Sequence, residues 1–126
     1  MGSGGQSKTT RETKTVVVTM AKDGNVSAAI DLRLYGAAGI IMPAAWTTAD
    51  LGIQVCATID GTYAPLLDKE SGYGTDVSID GAAAGKAYAL RWDAFAFPFV
   101  KLWSHDGAGA NVAQAAARTF TVCLKS

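Results

Sequence analysis

Two thiols, one imidazole and a scatter of carboxylates are the groups in this chain with chemistry in reach. Cys56 lies in Leu51–Asp60, where Leu51, Ile53, Val55, Ala57 and Ile59 form one alternating set and Gln54, Cys56 and Thr58 the other. Cys123 lies in Arg118–Lys125, where Phe120, Val122 and Leu124 oppose Thr119, Thr121, Cys123 and Lys125. Strand side chains alternate with period two, so both thiols are expected on the polar face of a sheet. A free cysteine ordinarily behaves as a small buried hydrophobe. Two on polar faces point to covalent pairing, within the chain or between chains. The single histidine sits in Ser104-His105-Asp106, which has the residue types of a hydrolase triad. Consecutive residues cannot converge on one substrate, since a triad needs its base held between nucleophile and orienter by the fold. A structural zinc needs four ligands, and Cys56, Cys123 and His105 supply three without CxxC spacing. Asp60, Asp68, Asp76 and Asp80 fall near turns but form no dense calcium loop. Gly81–Lys86 (GAAAGK) lacks the spacing and the following Ser/Thr of a phosphate-binding loop. The expectation is a protein without catalytic residues, metal or cofactor.

The elements that must position these groups are short strands. Thr15–Met20, Ser27–Tyr35, Gly39–Trp46, Leu51–Asp60, Tyr63–Leu67, Thr75–Ile79, Lys86–Trp92, Phe97–Ser104 and Arg118–Lys125 alternate, or are β-branched or continuously apolar. Pro43 confines its strand to an edge, a bulge or an end. Asp23-Gly24, Asp60-Gly61, Asp80-Gly81 and Asp106-Gly107 punctuate the series, and both residue types tolerate the positive φ of tight turns. Ala108–Ala117 is the one helix candidate, with alanine propensity set against Gly109 and Asn111. In Ala94–Phe99 the parity of Phe95, Phe97 and Phe99 gives way to that of Val100 and Leu102, which implies a bulge near Pro98. Those rings are expected to fill the core, the alternative being an exposed patch. The pattern predicts an all-β fold: one antiparallel β-sandwich, jelly-roll-like, over residues 13–126. Residues 1–12 read as a flexible arm carrying Lys8 and Arg11.

At 126 residues the chain has the length of a single domain. Its 11 basic and 11 acidic residues cancel, so no global attraction draws it to nucleic acid or anionic lipid. No segment approaches the roughly 20 apolar residues of a membrane span. Met1–Ser7 lacks the apolar stretch of a secretory signal, which leads to the expectation of synthesis in a reducing cytosol. There a disulfide forms only after later exposure to an oxidising medium.

The stretch from Ala29 to Ser126 resembles small proteins encoded among the virion genes of tailed bacteriophages and prophages. The resemblance rests on Ile30-Asp31-Leu32, Gly39-Ile40 and Met42-Pro43-Ala44-Ala45-Trp46-Thr47. It continues through Asp60-Gly61-Thr62-Tyr63 with Pro65-Leu66, Lys101-Leu102 with Ser104, and Gln114-Ala115-Ala116-Ala117-Arg118-Thr119. These are structural motifs and mark no active site. What the resemblance implies is an accessory particle protein, a capsid decoration protein first of all. Its partners would be the major capsid protein and copies of itself, as a symmetric oligomer with a trimer favoured, on the capsid surface of a virion assembled in the host cytoplasm. Lys8, Arg11, Trp46 and Tyr63 are the expected partner contacts.

The Gly39–Thr47 and Asp60–Tyr63 pieces also look like β-sandwich carbohydrate-binding domains, for which Trp46, Tyr63, Tyr73, Trp92 and Trp103 could form an aromatic platform. For the thiols two arrangements stay open. A bridge within the chain requires Cα atoms within about 7 Å; it would close a loop of roughly 68 residues, for about 4 kcal/mol. Bridges between subunits, the favoured arrangement, would cross-link the particle.

Overall fold

The computed structural model describes residues 12–126, so the expected arm of residues 1–12, with Lys8 and Arg11, lies outside the described residues apart from Glu12. Glu12 is tied to the C-terminus: its backbone N–H donates to Ser126 Oγ at 2.9 Å, and its carbonyl accepts from the Ser126 N–H at 2.9 Å. The strands are β1 (Thr13–Met20), β2 (Ile30–Asp31), β3 (Ala37–Ile41), β4 (Asp50–Cys56), β5 (Ala64–Pro65), β6 (Ser78–Ile79), β7 (Ala87–Ala89), β8 (Phe99–His105) and β9 (Arg118–Lys125). One sheet has the order β1-β9-β3-β7, the other β2-β8-β4-β5 with β6 also on β4. Every pairing is antiparallel. Apart from the β4–β5 hairpin and the small β6, the chain crosses from sheet to sheet at each step. That is the connectivity of a jelly roll, and it buries one apolar core between two layers.

The core follows from alternation. Val18 and Met20 of β1, Ile40 of β3, Leu51, Ile53 and Val55 of β4, Val100 and Leu102 of β8, and Phe120, Val122 and Leu124 of β9 all point inward and are buried. Trp46 closes one end, its ring edge-on to Phe120 with centroids 5.6 Å apart.

Several elements differ from the sequence pattern, each for a local reason. Ser27–Tyr35 is not one strand. Val26 bridges Trp103 while Ile30 pairs with Val100, so one extra residue bulges out between them. Ser27 fills the bulge: its buried hydroxyl accepts from the Leu102 N–H at 3.0 Å and donates to the Ala28 carbonyl at 2.8 Å. The same segment bonds to β1, through Ala28 N–H to the Thr19 carbonyl, and so stitches the two sheets at that corner. Gly39–Trp46 ends as a strand at Ile41, before Pro43. No bulge is needed at Pro98, because a 3₁₀ turn over Trp92–Ala96 resets the parity before β8 begins. Phe99 is then buried, Phe95 packs partly against the core, and Phe97 stays exposed.

Ala108–Ala117 is a loop, not a helix. Gly107 and Gly109 stand at φ +89° and +90°, and the Asp106 carboxylate accepts from the N–H groups of Ala108 (2.7 Å) and Ala110 (3.1 Å). That local turn satisfies the donors a helix would need and outweighs alanine propensity. Of the Asp-Gly pairs, Gly81 and Gly107 take positive φ, whereas at Asp23-Gly24 it is the aspartate that does, at +65°.

Candidate functional site

Outward-facing residues of the β1-β9-β3-β7 sheet can be read from the register. Val17 stands beside Thr121, Ile41 and Ala87; Thr15 beside Cys123, Gly39 and Ala89; Thr13 beside Lys125 and Ala37; Thr19 beside Thr119. Among the described residues Lys125 is the one charged group on this face, and nearly all of the face's side chains are exposed. Water normally favours charge on such a surface, and 17% of the chain is charged. Gly39 and Ala37 leave a depression of about 220 Å³ floored by Cys123 and rimmed by Lys125. Among the described residues the face is therefore almost uncharged and, Val17, Ile41 and Lys125 apart, made of small side chains, which suits a closely approaching surface.

Cys123 is exposed at the middle of that face, on the polar side expected for it. Cys56 also points away from the core, from the end of β4 in the other sheet. The two thiols thus leave opposite outer faces of the sandwich. A bond between them inside one chain would have to pass through both sheets, which lie about 10 Å apart. Cys56 is further covered by the turn Thr58–Gly61. A Cβ added at Gly61 would stand 2.5 Å from Cys56 Sγ and 2.5 Å from Thr58 Oγ1, so the turn closes over the thiol only because residue 61 is glycine. A maleimide reagent should accordingly modify Cys123 at least about tenfold faster than Cys56. Peptide mapping after partial labelling checks this, and equal rates would contradict the covering role of the turn.

Trp46 and Tyr63, the other expected contacts, are half-buried. Trp46 spends its indole N–H on the Ala49 carbonyl at 3.2 Å. Tyr63 donates its hydroxyl to the Ile59 carbonyl at 2.8 Å, and Lys101 Nζ stands 4.4 Å from its ring centre. Burial first, and then the neighbouring Cys56 and Asp60, push the Tyr63 hydroxyl above its ordinary pKa. Trp103 is buried beneath the loop following β8, its indole N–H donating to Asn111 at 2.7 Å. Of the expected aromatic platform, Tyr73 and Trp92 remain exposed; Trp92 is 68% accessible. Arg91 holds their two loops together by ion pairs to Asp68 and Asp93, each at 3.1 Å. Tyr73 and Phe97 rim an apolar hollow of about 510 Å³ that Leu66, Leu67 and Pro65 line.

Sequence reasoning missed the polar layer on the outside of β8. Trp103 and His105 share the outward parity of that strand yet are buried, stacked at 4.3 Å between ring centres. Gly52 on β4 makes room for them, since a Cβ there would stand 2.8 Å from His105 Nε2. His105 Nδ1 accepts from the Gly107 N–H at 3.1 Å. Nε2 therefore carries the proton and donates to Ser78 Oγ at 3.0 Å. A general base needs the opposite arrangement, with a bare Nε2 facing the hydroxyl. Ser104 faces the interior and receives the Gln114 amide at 2.9 Å, while Asp106 turns away to its own loop. Its two backbone donors hold the Asp106 carboxyl below the usual carboxylate range. The three consecutive residues thus point in three directions. A polar hollow of about 200 Å³ lies beside His105 and Ser78, lined also by Asp68, Asp76 and Asp80. Among the described residues no group of His, Cys, Asp and Glu is placed to hold a metal ion. The legible signal for this layer was Trp103-x-His105 followed by a loop rich in glycine and alanine.

No protein-family model matches the chain, and no curated protein matches it in sequence. In fold it is similar to the crystal structure of the SPBc2 prophage-derived protein YomS, with a TM-score of 0.58 over 94% of this chain and 96% of that one. The two are 9% identical, so the likeness is one of architecture.

Proposed function

We propose that the chain is a non-enzymatic structural protein of a bacteriophage particle, a decoration protein that lies on the capsid shell and reinforces it. The observation that carries the reading is the nearly uncharged outer face of the β1-β9-β3-β7 sheet, with Lys125 its one charge among the described residues. A monomer gains nothing by leaving such a surface uncharged, whereas a protein that seats on a lattice of other subunits does. The jelly roll shared end to end with a prophage-derived protein supports the phage setting. The partners would be the major capsid protein and neighbouring copies of this chain. Weak contacts repeated over a shell add up through avidity, and Cys123, open at the centre of the face, is available for an intersubunit disulfide once the particle meets an oxidising medium.

The test is sedimentation of the pure protein with phage heads that lack it, followed by heating of the heads. The expected result is saturable co-sedimentation and a higher temperature of head disruption. A protein that stays in the supernatant at tens of micromolar would overturn the reading. A second reading, a glycan- or receptor-binding module, draws on exposed Tyr73 and Trp92 near the apolar hollow. Glycan binding abolished by Tyr73→Ala, with no binding to heads, would favour it.

A further inference from the structure

In an Asp-Gly pair the main chain can react with the side chain before it. The glycine nitrogen closes a five-membered ring on the aspartate Cγ, and a residue without a Cβ does nothing to screen that approach. The peptide between the two must swing for this to happen, so hydrogen bonds that hold it suppress the reaction. Three of the four pairs are held. The Asp106 carboxylate is spent on the Ala108 and Ala110 N–H groups, and the Gly107 N–H on His105 Nδ1. The Gly81 N–H donates to the Asp50 carboxylate at 2.8 Å, a charge-assisted bond. At Asp23-Gly24 the Asp23 N–H donates to the Gln114 carbonyl at 2.8 Å, the Gly24 N–H donates to the Ala21 carbonyl at 2.9 Å, and the Gly24 carbonyl accepts from the Gln114 N–H at 3.0 Å. Asp60-Gly61 is held least. Both residues are exposed, the Asp60 carboxylate accepts no hydrogen bond among the described residues, and the Gly61 N–H reaches the Thr58 carbonyl only at 3.3 Å. Tyr63 anchors the Ile59 carbonyl at 2.8 Å, which fixes the peptide before Asp60 but not the one after it.

We infer that Asp60-Gly61 is a modification site, where aspartate converts spontaneously to isoaspartate, and that the conversion uncovers Cys56. The Gly61 nitrogen attacks Asp60 Cγ in its protonated carboxyl form. The N–Cγ bond forms, the bond from Cγ to the hydroxyl breaks, and the hydroxyl leaves with the amide proton as water, giving a cyclic imide. Water then adds at the Asp60 main-chain carbonyl and breaks its bond to the Gly61 nitrogen. The chain now runs through Cγ, one methylene longer, and the former main-chain carbonyl is a free carboxylate. Composition is unchanged, and no oxidant or reductant takes part. The turn cannot absorb the extra atom in place. It closes over Cys56 so tightly that even a Cβ at residue 61 would stand 2.5 Å from Sγ. Lengthening the chain there gives up the bond from Gly61 to Thr58 and lifts the turn from the thiol. The glycine that lets the turn cover Cys56 is thus also the residue that makes the turn reactive.

This inference goes beyond the capsid reading and is tested apart from it, on the pure full chain kept at neutral pH and body temperature for several weeks. Peptide mapping measures isoaspartate at each of the four pairs, and maleimide labelling measures the access to Cys56. The expected result is isoaspartate at residue 60 at least about fivefold above that at residue 23, 80 or 106, the factor that one further hydrogen bond holding the peptide is worth. Cys56 in the converted molecules should label at least about fivefold faster than in fresh protein. Asp60→Glu would have to close a six-membered ring, and it should age with neither change. Isoaspartate spread evenly over the pairs, or greatest at another pair, would overturn the proposal, as would none at residue 60. So would converted molecules whose Cys56 labels no faster, or an Asp60→Glu protein whose Cys56 opens with age as the wild type's does. Should that variant not fold, mapping and labelling of the wild type decide by themselves.

Discussion

Gln114→Leu is expected to cost about 3–5 kcal/mol and to lower the melting temperature by more than about 10 °C, although it opens almost no cavity. Gln114 is 0% exposed and ties the loops at one end of the sandwich. Its amide donates to the Thr47 carbonyl at 3.1 Å and to Ser104 Oγ at 2.9 Å. Its Oε1 accepts from the Thr47 N–H at 2.9 Å and from Arg118 Nε at 3.0 Å. Its own backbone bonds to Asp23 and Gly24 in the turn after β1. Leucine has nearly the same volume, so packing is preserved while these partners are stranded. A single stranded buried group costs about 1–3 kcal/mol. The total stability of such a domain is about 5–15 kcal/mol, so the loss would be a large share of it. Urea unfolding of the two proteins measures the difference. A loss under about 1 kcal/mol would mean that water replaces the amide, and that the loops are held by packing instead.

The second large effect is expected at Gly52. An alanine there would place its Cβ 2.8 Å from His105 Nε2, 2.9 Å from His105 Cδ2 and 2.9 Å from Trp103 Cε3. Alanine in a strand interior recovers roughly 0.5–1 kcal/mol of backbone entropy relative to glycine. Overpacking a fitted site costs roughly 1–3 kcal/mol, and here it also pulls His105 from Ser78, so the steric loss wins. The expected net effect is destabilisation by about 1–2 kcal/mol for Gly52→Ala and more for Gly52→Val. Shifts of the His105 ring and Trp103 indole resonances should accompany it. An alanine variant as stable as the wild type, with those resonances unmoved, would contradict the contact.

These two positions also mark where reading residues in order runs out. Alternation placed the inward sets of β4, β8 and β9 because each is decided within one strand, by which parity is apolar; in β1 the run Val16-Val17-Val18 marks a strand without marking its parity. It placed both thiols outward for the same reason. The all-β, antiparallel sandwich followed from strand length and turn chemistry, which are local too. Strand ends were less legible: the bulge at Ser27–Ala29 and the 3₁₀ turn at Trp92–Ala96 depend on bonds to β8 and on the path between sheets. The loop at 108–117 depends on two glycines at positive φ and one aspartate cap, which outweigh alanine propensity in this setting alone.

What the sequence by itself determined, then, is the class of fold, the parity of its strands and the outward direction of Cys56 and Cys123. The tertiary structure decided which surfaces those strands present. Strand order sets Cys123 at the centre of a bare face and Cys56 beneath a turn on the opposite side. It buries Trp103 and His105 on what the pattern marks as a solvent face, and it leaves half of β1 without a second partner strand among the described residues. The physical reason is the same in each case. A side chain's parity is fixed by its own strand, but whether that side meets water depends on what another part of the chain lays over it.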